Sequence, residues 1–277
     1  MMKLFRQVLF FTFLISNALN AQEFSVISYN IRYNNAHDNE NWWGHRKEAV
    51  VNLLEVNDPI TFGVQEAVLS QMEYIDKYMP EYSYVGVGRD DGKTAGEFSA
   101  IFYKKELKVL QSGTFWLSTT PNQVSKGWDA ALPRICTYAQ FETTEGNKFW
   151  HFNTHFDHVG EQARAESAKL IIEKIKEFSG SEDKVVLTGD FNTTPDKAPY
   201  GNITEYLDDD AKESATRPTG PTGTLNGFKL DAPLENRIDY IFSRNLKVMS
   251  YSHLDDKRDK GLWISDHLPV LVSYQWN

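Results

Sequence analysis

The chain of 277 residues carries 29 Lys and Arg against 38 Asp and Glu, a formal net charge of −9, and a single cysteine. An acidic chain has no general attraction for long polyanions, which argues against a protein that coats nucleic acid. One cysteine excludes an internal disulfide framework, so the core must suffice without staples.

Residues 1–21 read as a secretory signal peptide. Lys3 and Arg6 give a positive start, residues 8–15 form an apolar run too short for a bilayer, and the small residues Ser16, Ala18 and Ala21 follow. Cleavage fits after Ala18 or Ala21, and with no cysteine next to either, no lipid anchor is expected. Residues 22–277 then form one exported domain, periplasmic or secreted and expected to be a monomer. Loss of Lys3 and Arg6 takes its charge to about −11. No later segment is apolar enough to cross a membrane.

Most of the mature chain alternates with period two. Residues 24–33 are a first strand, with Ile27, Tyr29 and Ile31 on one face and Ser28, Asn30 and Arg32 on the other. Residues 39–56 start irregularly and become a helix that ends before Asp58-Pro59. Residues 60–66 are a strand closed by Glu66, a carboxylate that is costly there unless solvated or holding a cation. A helix over 71–78 and a strand pair over 82–88 and 97–103 follow. The loop joining the pair is charged and mobile, and its Arg89 is a candidate for a substrate anion. Further strands cover 107–117 and 135–141, the second carrying Cys136 as a buried small residue. Residues 148–157 alternate most clearly. Trp150, Phe152 and Phe156 share one face; His151, Asn153, His155 and Asp157 share the other. An imidazole in register with an amide and a carboxylate is a site candidate.

Residues 161–178 form an amphipathic helix. Lys184 to Leu187 is a short buried strand that runs out at Asp190, and Asn192 lies two residues on. Residues two apart on a strand point the same way, so a carboxylate and an amide aim at one spot, suited to a hard cation, a phosphate oxygen or a water. Residues 193–234 are a long polar tract rich in Thr, Pro and Gly, expected to shape a substrate cleft. Residues 236–242 are a strand with Arg237 and Asp239 on one face. Asp266-His267 precedes the last strand, 270–274. Asn30, Glu66, His155, Asp190, Asn192, Asp239, Asp266 and His267 therefore recur at strand ends. Carboxylates, amides and imidazoles so placed suit metal-assisted hydrolysis of a phosphate ester. Cys and His are too few for a structural zinc site. There is neither a Gly-x-Ser-x-Gly elbow nor a phosphate-binding loop ending in Lys-Thr.

The segments Ser28-Tyr29-Asn30-Ile31-Arg32, Gln65-Glu66, Asn153-Thr154-His155-Phe156-Asp157, Gly189-Asp190-Phe191-Asn192, Arg237-Ile238-Asp239-Tyr240 and Ser265-Asp266-His267 stand in the order seen in the endonuclease/exonuclease/phosphatase superfamily, which the chain resembles over its mature length. Residues 96–103 and 127–134 resemble an exported bacterial branch allied to deadenylases of the carbon catabolite repressor 4 type. The resemblance implies an α+β fold, a four-layer α/β/β/α sandwich of two mostly antiparallel sheets, as in deoxyribonuclease I. It further implies a phosphoric ester hydrolase using Mg²⁺ or Mn²⁺, with a phosphodiester favoured. Asn30 and Glu66 would hold the metal, Glu66 directly, with Asp266 near it or orienting an imidazole. Asp190 and Asn192 would position the attacking water and a phosphate oxygen. His267 would be base or phosphate ligand. His155 would hydrogen-bond the phosphate, oriented by Asp239. Arg32, Arg89, Asn153 and Trp263 are candidate substrate contacts. A small, lipid-linked or sugar-linked phosphate ester is the expected substrate, with DNA or RNA as the alternative. An inactive binding module is the reading from another class.

Overall fold

The computed structural model describes residues 23–276; the expected signal peptide, residues 1–21, lies outside them. In chain order the elements are β1 (Glu23–Asn30), α1 (Trp43–Asn57), β2 (Thr61–Gln65), α2 (Leu69–Tyr78), β3 (Tyr82–Val85), β4 (Ile101–Lys104), β5 (Lys108–Trp116), β6 (Ile135–Glu142), β7 (Lys148–His155) and α3 (Glu161–Phe178). There follow β8 (Lys184–Asp190), α4 (Ala198–Thr204), β9 (Asp208–Asp209), α5 (Asp210–Glu213), β10 (Asp239–Arg244), β11 (Lys247–His253), β12 (Lys257–Arg258), β13 (Leu262–Trp263) and β14 (Val270–Gln275).

Two six-stranded sheets result, ordered β11-β14-β1-β2-β4-β3 and β5-β6-β7-β8-β10-β9. Each is antiparallel except for one central parallel pair, β1 with β2 and β7 with β8. A parallel pair needs a crossover, and α1 and α3 supply it. The α+β sandwich expected from the sequence is thus present in four layers. Ile27, Tyr29 and Val64 face outward and pack under α1 and α2. Trp150, Phe152 and Leu187 face the other way and pack under α3 and α4. Between the sheets lie Phe24, Val26, Phe141, Phe149, Val186, Val270 and Val272.

The strand faces that read as polar are therefore buried between the sheets rather than solvated. Ser28, Asn30, His151, Asn153 and Thr188 are all fully buried. Their polar atoms pair within each sheet and across the interface, as buried groups must. Nδ1 of His151 meets Thr61 Oγ1 at 3.0 Å and its Nε2 meets Thr188 Oγ1 at 2.9 Å.

The tract 193–234 is organised. It contains α4, β9 and α5, and its later part is pinned by backbone bonds from Thr219 to Tyr251, Thr224 to Asn236 and Asn226 to Asp266. The loop carrying Arg89 is also fixed, by bonds from Gly88 to Lys93 and from Arg89 to Glu97. Its tip, Asp90 to Ala95, is largely exposed, whereas Arg89 is buried rather than free in solvent. Among the described residues no helix is long and apolar enough to cross a membrane.

Candidate active site

Parallel pairing brings the site together, because it sets strand ends side by side. Asn30 lies opposite Gln65, the neighbour of Glu66, and His155 lies opposite Asp190. Antiparallel pairing of β10 with β8 adds Asp239 opposite the same Asp190. The two sheets then press these ends together, and Asp190 becomes the centre.

Asn30 spans the sheets. Its Nδ2 donates to Glu66 Oε1 at 3.1 Å and to Asp190 Oδ2 at 2.9 Å, while its Oδ1 accepts from the Arg32 N–H at 3.0 Å. The Arg32 donor fixes the amide's orientation, since only its oxygen can accept. Asn30 thus turns a donor toward the acids. In this arrangement it braces Glu66 and Asp190 across the two sheets. Arg32, Glu66 and Asn192 all have left-handed backbones, with φ of 56°, 62° and 46°. For non-glycine residues this stores strain, of order 1–3 kcal/mol each, of the kind that clusters at functional sites.

His267 and Asp239 form a buried pair, Nδ1 to Oδ2 2.8 Å, with Nε2 of the same ring 3.8 Å from Asp190 Oδ2. Asp239 therefore orients His267, and the expectation that it orients His155 is corrected. Burial disfavours the charged ring, but Asp239 and Asp190 outweigh it and hold His267 well above the ordinary imidazole range. His155 behaves in the opposite way. Burial, then the nearby Arg134 and Arg89, keep it neutral, well below the usual value. Asn192 Nδ2 donates both to Phe156 O at 3.0 Å and to His155 Nε2 at 3.1 Å. Since Nε2 accepts, the ring proton sits on Nδ1, which points at Glu97 Oε2, 3.9 Å away. Burial, then Asp239, push the Asp190 carboxyl up to about 7, with His267 opposing.

One ligating atom each from Glu66, His155 and Asp190 lies within 4.8 Å of the others, and so does one each from Asp190, Asp239 and His267. Asp266 stands at the rim, its Oδ2 3.8 Å from Arg32 Nε, whose guanidinium also lies 3.9 Å from Glu66. It does not touch an imidazole among the described residues. The residues fit a hard divalent cation. The donors are mainly carboxylate oxygens, no thiolate is near, and buried acids outnumber the one charged imidazole, an excess that a cation would offset.

Three expected substrate contacts are not in the cleft. Asn153 is fully buried, donating to Val64 O and Ala100 O and accepting from Gln65 Nε2 at 2.7 Å. It lies two residues too deep on its strand to reach the opening. Arg89 is buried and grips Glu97 with two bonds of 2.6 and 3.0 Å. Trp263 is buried, its Nε1 donating to Lys229 O. Arg32 keeps a quarter of its side chain exposed beside Glu66 and Asp266. Residues that the sequence did not single out are Glu97, beneath His155, and Arg134, bound to Asp157 at 3.4 Å. Glu97 follows a glycine in a strand-like stretch. Only its pairing with Arg89 and its approach to His155 set it apart.

A two-sheet sandwich with acids, amides and imidazoles converging at its strand ends is the architecture of deoxyribonuclease I-like hydrolases. Residues 27–267 match the model of the Endonuclease/Exonuclease/phosphatase family. The chain belongs to that family, whose members hydrolyse phosphoesters. Among solved structures, an endonuclease/exonuclease/phosphatase from Bacteroides vulgatus is 40% identical, with a TM-score of 0.87 over 92% of this chain and 100% of that one. A Bacteroides thetaiotaomicron mannosyl-6-phosphatase is 38% identical, with a TM-score of 0.88 over 91% and 100%. The catalytic domain of human Nocturnin, solved with a bound sulfate anion, is 19% identical at a TM-score of 0.71 over 92% and 94%, a likeness of fold alone.

Proposed function

We propose that the protein is a divalent-metal-dependent phosphoesterase that hydrolyses the phosphate monoester of a small sugar-like alcohol. The observation that carries this reading is the convergence on Asp190 of Asn30, Glu66, Asn192 and the His267–Asp239 pair. Glu66 and Asp190 would hold Mg²⁺ or Mn²⁺, with Asp266 at the rim; when bound, the cation supplies positive charge against the phosphoryl oxygens. Asp190, through the carboxylate oxygen it does not give to the cation, positions the attacking water and accepts its proton. His267, kept protonated by Asp239, offers Nε2–H to a phosphoryl oxygen as charge builds there. Asn192 positions the phosphate and holds His155 in one tautomer.

The sequence favoured a diester. The mannosyl-6-phosphatase relative, at 38% identity, favours a sugar monoester. The acidic charge likewise disfavours a polyanionic substrate. The same reading takes residues 1–21 as an export leader and residues 22–277 as one enzyme domain.

The test is hydrolysis of mannose 6-phosphate, p-nitrophenyl phosphate and bis-(p-nitrophenyl) phosphate, each with EDTA, Mg²⁺, Mn²⁺ or Ca²⁺. Metal-dependent release is expected from the monoesters. Asp190→Ala and His267→Ala should each lower turnover at least ~100-fold while unfolding normally, the scale of a lost acid–base group. Near-normal turnover in either folded variant would remove that residue from the mechanism, and release from the diester alone would refute the monoester.

A further inference from the structure

Beside Asn192 the surface opens into a cavity of about 450 Å³ between the first turns of α3 and α4. Gln162 and Arg164 line it from α3, Asn192 and Thr194 from the loop after β8, and Lys197 and Pro199 from the entry and first turn of α4. Ile238, the neighbour of Asp239, completes the wall. Asn192, which positions the phosphate in the reading above, is thus shared between the cavity and the site. An ester bound with its phosphorus at Asp190 and Asn192 has this space next to it.

We propose that this cavity is the subsite for the alcohol portion of the substrate, and that it takes one uncharged, hydroxyl-rich sugar ring. The proposal rests on the sugar-phosphate reading above and names the residues that select the sugar. The volume suits a small-molecule site, for which about 300–1,000 Å³ is usual. No aromatic ring lines the cavity, so it offers no platform for stacking a nucleobase. It offers uncommitted hydrogen-bonding groups instead. Among the described residues, the Arg164 side chain spends only Nη1, on the Asp157 carbonyl at 2.9 Å, and the Gln162 side chain has no partner. Donors and acceptors of this kind match sugar hydroxyls. Pro199, Ile238 and the methyl groups of Ala165 and Ala198 give an aliphatic surface for the C–H face of a ring. The charges argue for a neutral ring. The Lys197 ammonium is met by Asp196 at 3.3 Å, and Glu161 stands on the same wall as Arg164, so no second anion is called for.

The double variant Gln162→Ala/Lys197→Ala tests this, since both side chains are exposed and their loss leaves the core alone. For mannose 6-phosphate its kcat/KM should fall at least tenfold, chiefly through KM. For p-nitrophenyl phosphate, whose leaving group needs no hydroxyl contacts, kcat/KM should stay within threefold of the wild type. Free mannose should inhibit wild-type hydrolysis of p-nitrophenyl phosphate competitively, and inhibit the double variant less. Equal loss on both substrates, or none on either, would overturn the subsite. So would a wild type that cleaves p-nitrophenyl phosphate but no hexose phosphate, and that outcome leaves the hydrolase standing. A wild type inactive on both with Mg²⁺ or Mn²⁺ would remove the hydrolase reading itself, and the subsite with it.

Discussion

Asn153 and His155 share one strand and one face, yet one is scaffold and the other belongs to the site. Period two fixes the face but not the depth. What separates them is that β7 ends at His155, which lies opposite Asp190 at the end of β8, whereas Asn153 lies opposite Thr188 in that strand's interior. Arg89 and Glu97 make the same point with charge. From the sequence, Arg89 belonged to a mobile loop; in the fold it is buried against a carboxylate. Burial pushes the Glu97 carboxyl up, with Arg89 opposing. Removing one partner strands the other charge. Arg89→Met and Glu97→Gln should each lower the free energy of unfolding by about 3 kcal/mol, and the double variant should recover much of that loss. Denaturant titration of the three variants checks this. Additive single losses would show that the two charges are not coupled. The left-handed residues Arg32, Glu66 and Asn192 belong to the same scale, because nothing in the residue types announces a positive φ.

At the scale of elements, alternation and helical spacing were dependable. The helix read over 161–178 is α3 residue for residue, and the strand read over 184–187 continues into β8. β11 was not recognised. Its Lys-Val-Met-Ser-Tyr-Ser-His alternates weakly, and it becomes a strand by pairing along β14. The polar faces of β7 and β8 also yield a prediction about pH. His151 is fully buried between two threonine hydroxyls, and burial lowers its pKa to about 3. Its folded value lies below the unfolded value of about 6.5, so the unfolded chain binds the extra proton between these limits. The stability it contributes is complete above pH 6.5 and is lost as pH falls toward 3. The full loss is about 4–5 kcal/mol. Chemical denaturation between pH 7 and 4 should therefore show a steeper decline in the wild type than in His151→Gln. Parallel curves would mean that this ring does not set the acid limit.

For the molecule as a whole, the site is a product of sheet packing. If Glu66 and Asp190 hold the metal only when folded, the metal stabilises the fold by mass action. At a concentration a hundredfold above its dissociation constant the gain is about 2.7 kcal/mol. For a domain of this size that raises the melting temperature by roughly 5–10 °C. Thermal unfolding with Mg²⁺ or Mn²⁺ against EDTA should show this rise, and Glu66→Gln should lose most of it. An unchanged melting temperature at saturating metal would count against a folded-state site built on these carboxylates.

The sequence by itself determined the alternation that makes two sheets, the helices that cover them, and a set of acids, amides and imidazoles at the strand ends. Those depend on local spacing and on side-chain chemistry, which a chain carries before it folds. Tertiary structure decided which acid serves which imidazole. Asp239 went to His267 because β10 pairs with β8 and the loop before β14 closes over it. It also decided that Asn30 supports the acids as a donor, that Arg89, Asn153 and Trp263 are buried, and that a cavity opens beside Asn192. Each of these is a contact between residues far apart in the chain. Such contacts are fixed by strand order and sheet packing, which no local pattern encodes.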